Sequence, residues 1–142
     1  MNKFEEHKFL LIDDSEIDSV ITSKILQLSG LPKANIVARH AFEALDYLRT
    51  EVRFPVQAGT GSEEASPLII LLDIHMPEMS GFEFLEYFGQ LDPHITDNCR
   101  IFLLTSSIDP IDIERAHQNG YVVRVLNKPL NMEELLYYFE AY

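Results

Sequence analysis

The stretch Leu68–Gly81, read as Leu-Ile-Ile-Leu-Leu-Asp-Ile-His-Met-Pro-Glu-Met-Ser-Gly, limits the possible folds more than any other part of the chain. Its apolar run, Leu68 to Leu72, is far shorter than the ~20 residues a membrane helix requires. With no polar alternation and with Pro67 ahead of it, the run predicts a strand covered on both faces, as in a parallel sheet. The run stops at Asp73, and Pro77 and Gly81 then oppose continuation as strand or helix. Asp73 is therefore expected at the carboxyl end of a buried central strand, the place where open α/β sheets bind ligands. A lone Asp there would be ordinary strand-end chemistry. Its company elsewhere in the chain decides the matter.

Phe9-Leu10-Leu11-Ile12 is a shorter apolar run ending in Asp13-Asp14. Ser15 then suits a helix cap, with Asp18 in a weak version of the capping box. Ile17, Val20, Ile21, Ile25 and Leu28 recur at helical spacing and predict the buried face of that helix, which Gly30 and Pro32 stop. Asn35–Arg39 reads as a second strand. Ala41–Arg49 reads as a helix with Phe42, Leu45 and Leu48 on one side. Glu51–Pro67 is polar, carries Gly59 and Gly61, and has no periodicity, so it is expected to be an exposed loop of a kind that surfaces tolerate. Too little chain precedes it for a separate domain.

Beyond the central strand, Phe82, Leu85 and Phe88 mark a third helix, and Arg100–Thr105 a fourth strand. Asp109-Pro110 is a cap followed by a first-turn proline, opening a helix that Gly120 ends. Val122–Leu126 is a fifth strand, followed by Asn127-Lys128-Pro129. Asn131, with Glu134 three residues on, caps a last helix to Tyr142, with Met132, Leu135, Leu136 and Phe139 inward and Tyr137, Tyr138 and Tyr142 outward. Strand and helix alternating five times imply right-handed crossovers, a doubly wound parallel sheet and helices on both faces.

In such a sheet the strand tips share one edge, so Asp13, Asp14, Asp73, Thr105 and Lys128 should converge. Carboxylates crowded together repel: two unit charges ~4 Å apart cost roughly 4 kcal/mol at an effective dielectric of ~20. Three of them call for a hard cation such as Mg²⁺, which keeps sites open for phosphate oxygens. Lys128 adds a point charge and Thr105 a hydroxyl donor, both suited to phosphate. A carboxylate nucleophile with metal, ammonium and hydroxyl describes phosphoryl transfer onto an aspartate.

Leu11-Ile12-Asp13-Asp14, Leu72-Asp73-Ile74-His75-Met76-Pro77 with Gly81, Leu104-Thr105-Ser106 and Lys128-Pro129 together resemble the response-regulator receiver domain of two-component signalling, along essentially the whole chain. The resemblance implies a flavodoxin-like, CheY-like α/β fold. Its five parallel strands would run in the order 2-1-3-4-5 with five helices, forming one domain over 1–142 with an insertion at 51–67. It implies that Asp73 takes a phosphoryl group from a sensor histidine kinase or a histidine phosphotransfer protein. Asp13, Asp14, Asp73 and the backbone carbonyl of His75 would hold Mg²⁺. Thr105 would be the switch hydroxyl and Lys128 the phosphate-pairing cation, while His75 and Ser107 would tune the acyl-phosphate lifetime. At Val125 receivers usually place an aromatic residue that swings inward on activation. Gly120–Arg124 reads one residue longer than usual, and Tyr121 sits too far along to replace that aromatic.

The output expected is a changed protein partner or onward transfer of the phosphoryl group, from a stand-alone receiver, since the chain ends soon after the last helix. It would not be an enzyme beyond its own phosphorylation and dephosphorylation. A haloacid-dehalogenase-type phosphatase is the rival. That family needs a second acid two residues after the nucleophile, where this chain has His75, and it leaves Asp13-Asp14 unexplained. A third alternative is a receiver that binds its partner unphosphorylated. A flavodoxin-like cofactor binder lacks its glycine-rich loop here.

A formal net charge of −12 disfavours nucleic acid. Cys99, the single cysteine, excludes an internal disulfide and fits a reducing compartment. Met1–Lys8 has no long apolar stretch, so neither a signal peptide nor membrane insertion is expected, and the location expected is cytoplasmic. His7, His40, His75, His94 and His117 share no metal-ligand spacing, and the His75 imidazole is expected in solvent. The outward tyrosines near the end suggest a homodimer through the last two helices.

Overall fold

The computed structural model describes residues 7–30, 34–50, 67–106 and 109–140, with side chains up to 138. Strands β1 (Lys8–Ile12), β2 (Ala34–Ala38), β3 (Leu68–Asp73), β4 (Cys99–Thr105) and β5 (Val122–Asn127) form one sheet in the order β2-β1-β3-β4-β5. Every pairing is parallel. This is the expected order. Every residue of β3 is buried, which is why its sequence shows no alternation.

Helices α1 (Glu16–Leu28), α2 (Ala41–Thr50), α3 (Gly81–Phe88), α5 (Pro110–His117) and α6 (Met132–Glu140) are the five that were expected. A single extra turn, α4 (Pro93–Thr96), is opened by the Asp92 cap and Pro93 and was not foreseen. Two apolar layers sandwich the sheet. One joins α2, α3 and α5 through Leu45, Leu48, Phe84, Phe88 and Ala116 to Leu10, Ile12, Ile70, Leu72 and Leu103. The other joins α1 and α6 through Leu26 and Leu135 to Phe9, Leu11, Ile69, Leu71 and Phe102.

Three expected faces need correction. On α1 the residues expected inside are mostly outside, with Ile17 at 72%, Val20 at 61% and Leu28 at 77% exposed. Ser19, Thr22 and Leu26 are buried instead. The helix starts so soon after β1 that its phase is set at the cap, where the Ser15 side chain accepts the Asp18 N–H. The Ser19 hydroxyl then reaches the Asp13 carbonyl at 3.4 Å, satisfying a buried polar group. On α2, Phe42 is exposed and the small Ala41 and Ala44 face inward, because the layer above the sheet is already filled by larger side chains from α3. On α6, Tyr138 packs against the second layer while Tyr137 stays out. Phe139, Tyr142 and all of 51–66 lie outside the residues whose side chains are described.

β5 carries a bulge within the segment 120–124. Ile101 pairs with Val122 but Phe102 pairs with Arg124, so Val123 is left over.

Candidate functional site

At the carboxyl rim the loops after β1, β3, β4 and β5 meet. Asp13 follows β1 directly; its N–H bonds the Ala38 carbonyl of β2 at 3.1 Å, and its Oδ1 accepts the Ser15 N–H at 2.9 Å. These bonds hold a fully buried carboxylate in one orientation. Asp14 is half-buried beside it. Asp73 ends β3 and is buried, with Oδ1 accepting the His75 N–H at 3.4 Å. Asp13, Asp14 and Asp73 each offer an oxygen within 4.8 Å of the others.

Gly81 explains how the loop after Asp73 folds back so tightly. Its N–H bonds the Ile74 carbonyl at 2.8 Å, and a Cβ there would stand 2.7 Å from the Asp73 carbonyl oxygen. Only glycine fits that approach.

Thr105 ends β4, buried, and its carbonyl accepts the Lys128 N–H at 2.9 Å, tying the β5 exit to the β4 tip. The Lys128–Pro129 bond is cis. The Lys128 ammonium lies 2.8 Å from Asp13 Oδ2, 3.0 Å from Asp18 Oδ2 and 3.6 Å from Asp73 Oδ1. Asp18 was expected only at a helix start. Its carboxylate in the first turn of α1 was legible in the sequence, but its reach to Lys128 depended on the helix phase.

Burial pushes the Asp73 carboxyl up to about 6; Lys128 pulls it down, the Asp13 and Asp14 charges push it up, and the His75 N–H pulls it down. Burial would lower the Lys128 ammonium, but hydrogen bonds to Asp13 and Asp18 and the Asp73 charge outweigh it and hold it above its ordinary value. A rim with excess negative charge and only oxygen donors fits a hard divalent cation. By contrast Cys99 is buried and its thiol is pushed up to about 12, which leaves it inert.

The remaining site candidates fall in different places. The His75 imidazole is exposed, but it is paired: Nε2 lies 3.3 Å from Asp112 on α5, a partner that no sequence pattern indicated. Ser107 lies outside the described residues. Val125 is half-buried against the layer of α2, α3 and α5. Tyr121 stands at the amino end of β5, edge-on to Phe88 with centroids 5.2 Å apart, on the far rim from Lys128.

A family model described as the response regulator receiver domain matches residues 9–140. The response regulator Rcp1 of Synechocystis is 28% identical over 129 residues, covering 89% of this chain and 79% of that protein. A response regulator receiver protein from Dyadobacter fermentans shares the fold with a TM-score of 0.77 and 33% identity, covering 94% of this chain and 98% of its own. The chemotaxis response regulator CheY4 of Vibrio cholerae gives a TM-score of 0.67 at 27% identity, covering 95% and 97%.

Proposed function

The chain belongs to the response regulator receiver domain family, and from that membership we propose that Asp73 accepts a phosphoryl group from the phosphohistidine of a sensor kinase or a phosphotransfer protein. Receivers of this family are signalling modules, and the output here is a change of protein partner or onward relay of the phosphoryl group. The observation that carries this is the meeting of Asp13, Asp14 and Asp73 with Lys128 on one rim. Residues 1–142 act as one receiver domain in the cytoplasm. Among the described residues no helix is long and apolar enough to cross a membrane.

In the transfer an Asp73 carboxylate oxygen attacks phosphorus, the bond to the donor histidine nitrogen breaks, and that nitrogen keeps the electron pair. Asp13, Asp14, Asp73 and the His75 carbonyl would hold Mg²⁺, which supplies positive charge against the crowded carboxylate and phosphoryl oxygens. Lys128 pairs with a phosphoryl oxygen and the Thr105 hydroxyl donates to another. His75, held by Asp112, and Ser107 set how readily water reaches the acyl phosphate. Val125 is the coupling position, with less reach than an aromatic side chain.

The apolar stripe of α1, exposed beside this rim, suits the docking of a phosphodonor protein. A homodimer would use α5 and α6, where Ile111 and Tyr137 are exposed. Incubation with phosphorylated histidine kinases and Mg²⁺ tests the proposal. Transfer of label is expected to the unaltered chain and to be lost in Asp73→Ala. Labelling of that variant at an unchanged rate, or sustained turnover of small phosphoesters, would refute it.

A further inference from the structure

We infer that Asp18 is a positioning residue for Lys128: it shares the resting ammonium with Asp13 and must release it before the lysine can pair with a phosphoryl group on Asp73. This rests on Asp73 being the phosphoacceptor. In the resting geometry the ammonium sits closer to Asp13 and Asp18, at 2.8 and 3.0 Å, than to Asp73, at 3.6 Å. Its two short hydrogen bonds are therefore made to Asp13 and Asp18 and not to the acceptor.

The two holders differ in freedom. The Asp13 side chain is wholly buried and pinned by the Ser15 N–H, whereas the Asp18 side chain is 40% exposed. Asp18 can rotate into water and be solvated there, so it is the contact that gives way. A phosphoryl group on Asp73 would add charge on the third side of the ammonium and compete directly with Asp18. Engagement of Lys128 then loosens the tie between the β5–α6 turn and the first turn of α1. No other described carboxylate on α1 touches Lys128: Glu16, in the same turn, faces Arg39 at 3.5 Å.

Titration with beryllofluoride at saturating Mg²⁺, read by calorimetry, tests this. Asp18→Asn is expected to bind the phosphoryl analogue about fivefold more tightly than the unaltered protein, the scale of one half-exposed ion pair. Glu16→Gln, which removes a charge from the same turn without touching the lysine, should change affinity less than twofold (roughly the effect of a distant screened charge). Asp18→Glu should return it to within about twofold of the starting value by restoring the carboxylate. Equal gains in Asp18→Asn and Glu16→Gln, or no gain in Asp18→Asn while thermal unfolding shows it folded, would overturn the role of Asp18 and leave the acceptor assignment standing. If the unaltered protein itself fails to bind beryllofluoride, the acceptor assignment falls, and this inference with it.

Discussion

Helices α1 and α3 each follow a strand that ends in a site carboxylate, each opens on a serine cap, and each carries apolar residues at helical spacing. α3 buries Phe82, Phe84, Leu85 and Phe88, while α1 leaves Ile17, Val20, Ile21 and Leu28 outside. The difference lies in how each helix is tethered. α1 begins within three residues of Asp13, and Ser15, Asp18 and Ser19 all bond to that neighbourhood, so polar contacts fix which way the helix turns. α3 begins after a longer loop, and its Ser80 cap pairs with Glu83 of the same helix and not with the site carboxylates, so its apolar stripe keeps its own phase. Anchoring near a charged site overrides hydrophobic periodicity; distance from it restores that periodicity.

The largest expected effect contrasts the two stripes directly. Phe84→Ala should cost about 3–5 kcal/mol in denaturant unfolding, as for any fully buried aromatic, while Leu28→Ala should stay within about 0.5 kcal/mol. Comparable losses would erase the distinction between the helices.

Next comes the carboxylate ahead of α3. Asp73 binds a proton more tightly folded than unfolded, its carboxyl rising from 3.8 to about 6. Its contribution to stability is therefore complete below about pH 4 and lost as pH rises to about 6, up to ~3 kcal/mol at ~1.4 kcal/mol per unit. In metal-free protein, Asp73→Asn should accordingly gain stability over the unaltered chain as pH rises through that window, as measured by urea midpoints. A constant difference between the two across pH 3 to 8 would contradict the burial argument.

Gly81→Ala should cost about 2 kcal/mol, because the new methyl group meets the Asp73 carbonyl, and it should slow phosphotransfer by shifting Asp73. The smallest effects belong to the caps. Ser80→Ala removes one side of a complete capping box and should cost about 1 kcal/mol by thermal unfolding. Ser15→Ala should cost a similar amount, and would also relax the α1 phase, seen as loss of the Asp18 to Lys128 contact by NMR.

The alternation of strands and helices and the rim residues Asp13, Asp14, Asp73, Thr105 and Lys128 were legible because each is written locally, as an apolar run, then a polar residue, then a turn signal, whereas the strand order came from the resemblance to receiver domains. The buried face of α1, the turn of α4, and the pairing of His75 with Asp112 and of Asp18 with Lys128 were not. Each depends on a rotation or a distance between segments far apart in the chain. Tyr121 is the converse case: the sequence placed it too far along to replace the missing aromatic, and it packs edge-on against Phe88 at the other end of β5.

The sequence by itself determined that five strands alternate with helices and that acids, a hydroxyl and a lysine stand at their ends, because apolar runs and turn chemistry are read over a few residues. Only the tertiary structure decided which carboxylates hold Lys128 at rest and which side of α1 meets water. Those outcomes are set by a few ångströms of separation between charges, and the sequence has no coordinate in which to write them.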